Sequence, residues 1–345
     1  MLYKTENPHG GDVYAGNIEL DFSANTNPFG TPDRVKAAVS ACLDSLSYYP
    51  DPYCRRLVSA VAAHEKVPES FVLCGAGAAE LIYSYAAAER PKSMVELAPT
   101  FAEYSLPLPT TSISRFFLKE ENGFRVTEAL LDHIVETRPD TVFICNPNNP
   151  TGLLAAAGLI EDIAEACRAI GARLFLDECF MDLSDGGQSF VPRLKDYPNV
   201  VILKAFTKSY GMAGLRLGYC LSANETLLSA MSRAVQPWNV STAAQEAGIA
   251  ALSETGFLEK TRDFVRSERP RLAQGLRSLG FTVFDSDTIF LLFKGAAGLD
   301  DKLLAKGIKI RNCANFPGLG EGFYRVPVRL PEENRRLLDS IRECL

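Results

Sequence analysis

From about residue 70 to residue 220, short apolar runs alternate with stretches whose apolar residues recur at helical spacing. FVLCGAG (71–77), SMVELAP (93–99), ISRFFL (113–118), TVFICN (141–146), ARLFLDE (172–178), NVVILKAF (199–206) and LGYCLS (217–222) have the length and apolar content of strands. Between some of them EALLDHIVE (128–136) and LIEDIAEACRAIG (159–171) read as amphipathic helices. This alternation predicts an α/β fold with a mainly parallel sheet covered on both faces. Ligands of such sheets bind beyond the carboxyl ends of the strands, and the polar motifs of this chain stand at those ends.

After the turn-rich QPWNVS (236–241) the pattern changes to a long, mostly helical region, residues 243–280. Short strands follow around FTVFDS, IFLLFK, IKIRNC and YRVPVR, which predicts a second, smaller α+β domain. The expected division is an N-terminal arm of residues 1–35 joining the small domain, a large domain of residues 36–245, and a small domain of residues 246–345. The two domains are expected to meet over a cleft.

A chain of 345 residues, 47% hydrophobic, buries a large core. Its net charge of −6 leaves no basic stripe for a phosphate backbone, so nucleic acid is not an expected partner, and an anionic ligand must be held by local arginines. The nine cysteines are scattered and form no CxxC pair, the pattern of reduced thiols. The polar N-terminus and the lack of a membrane-length apolar run complete the expectation of a cytoplasmic protein without a membrane partner. No metal-binding cluster is visible in the sequence.

The chemistry concentrates in AFTKSYGMAGLRLGY (205–219), where Lys208 follows an apolar strand and Arg216 lies eight positions on. A lysine amine condenses with an aldehyde, and a guanidinium forks onto a phosphate. Gly75-Ala76-Gly77-Ala78-Ala79-Glu80 follows the strand FVLC and opens a helix, so free N–H groups face any anion there. Asn146-Pro147-Asn148-Asn149-Pro150-Thr151-Gly152 ends the strand TVFIC, and Asp177 ends RLFLDE. Taken singly these are a surface pair, two turns and a cap; their order along the chain argues for more.

In that order they resemble the fold-type I pyridoxal-phosphate enzymes, the aminotransferase class I/II superfamily, over nearly the whole chain. The resemblance implies pyridoxal 5'-phosphate as cofactor, linked to Lys208, with Asp177 pairing the pyridine nitrogen and Asn149 meeting the ring hydroxyl oxygen. It assigns the cofactor phosphate to the backbone of Ala76, Gly77 and Ala78 and to Arg216, with Thr207 offering a hydroxyl. Phe101 matches the aromatic position that stacks on the ring, and Tyr49 a tyrosine supplied across a homodimer interface. Two positions depart from the common pattern: Phe180 replaces a tyrosine and Ala205 a serine or threonine.

By the same resemblance Arg325 holds a substrate α-carboxylate and Arg311 a second anionic group, such as a phosphate. HGGDVY, DFSANTNPFG, DECFMD, PWNVS and RNCANFPGLGEGFYRVPVR resemble the threonine-phosphate decarboxylases of cobalamin biosynthesis, with histidinol-phosphate aminotransferases next. This assigns His9 to the substrate phosphate and places Asn25 near the substrate. The implied reaction is decarboxylation of a phosphorylated amino acid, L-threonine O-3-phosphate. An aminotransferase, a serine-phosphate decarboxylase and a cofactor-binding sensor without turnover stand as alternatives.

Overall fold

All seven apolar runs between residues 71 and 222 become strands of one sheet in the computed structural model, which describes residues 9–345. After β1 (Leu20–Phe22) come β2 (Val72–Gly75), β3 (Ser93–Ala98), β4 (Ser112–Phe117), β5 (Thr141–Cys145), β6 (Arg173–Asp177), β7 (Val200–Ala205) and β8 (Gly218–Leu221). The spatial order is β2-β8-β7-β6-β5-β3-β4. The pairs from β7 through β4 are parallel, whereas β8 runs antiparallel to both β7 and β2. The link from β7 to β8 holds the four-residue helix Phe206–Ser209 and the single 3-10 turn Ala213–Leu215, together too short to carry the chain back along the sheet for another parallel strand.

The central strands are buried on both faces, as a parallel sheet under two helical layers requires. Their side chains alternate between two cores. Val142, Ile144, Leu174, Leu176 and Ile202 face one, with the buried stripe Leu159, Ile160, Ile163 and Cys167 of helix Ala157–Ile170. Phe143, Phe175, Val201 and Leu203 face the other, with Leu81, Ile82 and Tyr85 of helix Ala78–Glu89.

The second sheet contains β1, β9 (Thr282–Val283), β10 (Phe290–Lys294), β11 (Ile308–Asn312) and β12 (Phe323–Pro327), in the order β1-β11-β12-β10-β9. Only β1–β11 is parallel. It has its own apolar core, including Phe290, Phe293, Ile308, Tyr324 and Leu337. The helical stretch after QPWNVS is two helices, Thr242–Leu252 and Phe257–Ser278, separated at Gly256, whose φ of +76° favours glycine. Ala244, Ala247 and Ala251 of the first helix belong to the larger core, so the division expected between residues 245 and 246 falls inside an element of the large unit. FTVFDS contributes only the two residues of β9.

Candidate functional site

Strands β5, β6 and β7 lie side by side and parallel, so the loops leaving their carboxyl ends converge. Cys145 is in register with Asp177, and Asp177 with Leu203. That register brings together Asn149, Asp177 and Lys208, far apart in sequence, at the rim of one cavity of about 500 Å³. The cavity is also lined by His9, Asn25, Ala78, Phe101, Thr207, Arg216, Arg311 and Arg325, and by Phe180 and Ala205. The seven-stranded sheet supplies one wall, and β11 and β12 supply the two arginines opposite.

Burial pushes the Lys208 amine down to about 8, and the nearby Arg325 guanidinium adds to the shift. Among the described residues its amine has no hydrogen-bond or ion-pair partner. Asp177 is buried at the end of β6; its Oδ1 accepts the Cys179 N–H at 2.9 Å and its Oδ2 accepts the Tyr104 hydroxyl at 2.7 Å. Burial raises its carboxyl above the usual range, against the pull of those donors. Tyr104 is itself fully buried, stacked on Phe143 at 5.3 Å and edge-on to Phe101 at 5.7 Å.

The glycine-rich turn differs in detail from expectation. The Ala76 N–H donates to Glu80 Oε2 at 2.6 Å and the Gly77 N–H to the Gly75 carbonyl at 2.8 Å. Those two donors are satisfied within the turn because Glu80, one helical turn on, reaches back to its start. Ala78, at the N-terminus of helix Ala78–Glu89, is the expected donor that lines the cavity, joined there by Ala79. Gly77 serves in another way. Its φ is +92°, and a Cβ there would lie 2.7 Å from Nη2 of Arg216, so the missing side chain lets the guanidinium lie on the turn. Arg216 is held in the left-handed region at φ +56°.

Arg325 is buried; its Nη1 donates to Asn149 Oδ1 and its Nη2 to the Ser23 carbonyl at 2.8 Å. Its Nε and the Asn25 Oδ1 are buried without a hydrogen-bond partner among the described residues. Burial lowers the Arg325 guanidinium to about 10. Arg311 is directly opposite Arg325 in the β11–β12 register. It donates to the Asn312 carbonyl and to Asn315 Oδ1 (2.8 Å), with its guanidinium 4.9 Å over the Phe316 ring. His9 touches Glu103, and its ring is 5.4 Å from that of Phe101.

Tyr49 does not line the cavity: it is exposed and stacked on Trp238 at 4.6 Å. Phe180 packs edge-on to Phe290 at 5.0 Å and brings no hydroxyl to the cavity. Sequence reasoning missed Tyr104, Ser23 and Glu103. Tyr104 and Glu103 stand in the same APTFAEY segment as Phe101, which was the available signal.

The residues fit a flat cofactor with an aldehyde, a basic ring nitrogen and a phosphate. An unpartnered amine, a buried carboxylate and a helix N-terminus with a guanidinium face one space. The buried Arg325 Nε and Asn25 Oδ1, without a hydrogen-bond partner among the described residues, leave polar capacity for a bound group.

The family model for aminotransferase class I and II matches residues 17–341. The chain is 38% identical to a threonine-phosphate decarboxylase of Salmonella typhimurium, over 94% of this chain and 91% of the relative. It is 33% identical to a histidinol-phosphate aminotransferase of Archaeoglobus fulgidus, over 94% and 92%. The crystal structure of the histidinol-phosphate aminotransferase from Clostridium acetobutylicum superposes with a TM-score of 0.87 at 28% identity, covering 94% of this chain and 98% of that one.

Proposed function

Because the chain belongs to the aminotransferase class I and II family, we propose that it uses pyridoxal phosphate to decarboxylate a phosphorylated amino acid, L-threonine O-3-phosphate, to 1-aminopropan-2-ol phosphate. One observation carries the two-anion substrate: Arg311 and Arg325 are direct cross-strand neighbours that line the same cavity. Like charges in that position oppose each other, and a pair of anions on the ligand offsets the cost. The planar fork of Arg325, with Nε still unpartnered, suits the α-carboxylate, and Arg311 takes the phosphate.

When bound, the cofactor supplies the electron sink for the pair released by a bond breaking at the substrate α-carbon. The chain's residues do the rest. Ala78 and Arg216 bind the cofactor phosphate, and Phe101 orients the ring. Asn149 spends its Oδ1 on Arg325 and keeps its amide N–H groups for the ring oxygen. Asp177, fixed by Tyr104 and Cys179, holds the proton on the ring nitrogen. Lys208 is the covalent anchor, and its Nζ returns a proton to the α-carbon after carbon dioxide leaves. The nine cysteines are unpaired, which suits a reducing compartment such as the cytoplasm. Among the described residues no helix is long and apolar enough to cross a membrane.

A second reading, transamination of histidinol phosphate or a related amine, is favoured by the similarity to a histidinol-phosphate aminotransferase at 33% identity over 94% of this chain. One assay separates the two. The cofactor-loaded protein is given L-threonine O-3-phosphate without a keto acid, and carbon dioxide and amine phosphate are measured; O-phosphoserine in parallel reports the selectivity for the extra methyl. Steady release of both products is expected. Conversion of the cofactor to its amine form without carbon dioxide would overturn decarboxylation in favour of the second reading.

A further inference from the structure

Among the described residues, two acidic ones line the cavity, Asp177 and Glu103. Asp177 has a place in the cofactor site. A second carboxylate in a cavity built to receive two anions opposes the substrate unless it is neutralised. Glu103 sits in the short turn Ala102–Tyr104 beside Phe101, and its Oε1 pairs with His9 Nε2. Its side chain is 13% exposed and that of His9 30%.

His9 reaches Glu103 from the opposite wall. The residues that follow it are laid on Ser23, just beyond β1. A Cβ at Gly10 would lie 2.3 Å from the Ser23 carbonyl oxygen, and the Gly11 N–H donates to Ser23 Oγ at 2.8 Å. Lys309 Nζ, on β11, holds the Asp12 carbonyl at 2.6 Å. The same Ser23 carbonyl accepts from Arg325. The arm is therefore anchored on the five-stranded sheet, and its His9 end is tied to the seven-stranded unit by Glu103. Both residues of the pair line the cavity.

We propose that Glu103 is the positioning residue of the second-anion subsite: it holds His9 across the cavity, so that the substrate phosphate is met by His9 from the arm and by Arg311 from β11. This rests on the reading of a phosphate-bearing substrate. Glu103 acts through His9, whose Nε2 its carboxylate holds.

The test uses cofactor-loaded wild type, Glu103→Ala, Glu103→Gln, His9→Asn and the double variant Glu103→Ala/His9→Asn, with cofactor absorbance confirming an intact site in each. Inorganic phosphate is titrated by calorimetry. Glu103→Ala and His9→Asn should each weaken phosphate binding roughly three- to tenfold, the range of one net hydrogen bond. Glu103→Gln, which keeps an acceptor, should lose less, and the double variant no more than the worse single. With L-threonine O-3-phosphate the loss should appear more in KM than in kcat. Wild-type affinity in Glu103→Ala, tighter binding there, or additive losses in the double variant would each overturn the role of Glu103 while leaving the phosphorylated substrate in place. A wild type that binds no phosphate would instead overturn the second-anion subsite itself, and the inference with it.

Discussion

Lys208 shows what a single residue's surroundings do to its chemistry. On the surface its amine would be protonated until high pH; here burial and the Arg325 guanidinium bring it to about 8. A depressed amine is charged and unreactive below that value and a free nucleophile above it. Covalent linkage of the cofactor to the cofactor-free protein should therefore accelerate as pH rises from 6.5 and level off above about 8, followed by absorbance in a stopped-flow instrument. Acceleration continuing to about 10.4, the ordinary lysine value, would refute a buried lysine as the reacting group. Lys208 was legible because it follows an apolar strand with an arginine eight residues on. Tyr104 was not: its hydrogen bond to Asp177 spans 73 positions of sequence, and a tyrosine in an apolar segment reads as core.

At the scale of elements, the turn from β2 into helix Ala78–Glu89 has both a backbone and a packing constraint. Gly77 combines φ +92° with ψ 167°, a region essentially restricted to glycine, and Arg216 occupies the space its Cβ would need. Gly77→Ala should lose about 1–3 kcal/mol of stability in urea denaturation of the cofactor-free protein. It should also bind the cofactor more weakly, because the Arg216 guanidinium has to move off the turn. Unchanged denaturation and unchanged cofactor titration together would show that the turn adapts freely. Strands β3 and β5 to β8 could be read from short apolar runs because burial on both faces demands continuous apolar sequence. The direction of β8 could not, since it depends on how little helix the β7–β8 link contains. The glycine-rich turn was recognisable, but its division of donors was hidden in the reach of Glu80 back to Ala76.

At the scale of the whole molecule, the cavity exists only where the two sheets face each other, one bringing Lys208 and Asp177, the other Arg311 and Arg325. Away from it, Leu43, Leu46, Tyr48, Tyr49, Tyr53 and Trp238 are exposed, with Tyr49 stacked on Trp238. We propose that the stacked Tyr49–Trp238 pair meets a second copy of the chain, which would receive Tyr49 at its cofactor phosphate. Light scattering of the cofactor-loaded protein should give twice the mass of the chain. Trp238→Asp should shift it toward a monomer and lower activity together. A wild type that is monomeric at full activity would remove both the homodimer and the role of Tyr49.

The sequence by itself determined the α/β alternation, the polar motifs at strand ends and the order of those motifs, because each is written in local periodicity and in residues adjacent along the chain. Its apolar runs also carried enough information to separate a parallel sheet from the α+β region that follows. Tertiary structure alone decided that Arg311 and Arg325 stand opposite each other, that Arg325 donates to Asn149, and that His9 meets Glu103. These are contacts between residues 14, 176 and 94 positions apart. Their partners are selected by strand register and by the packing of one unit on the other, which no local pattern encodes.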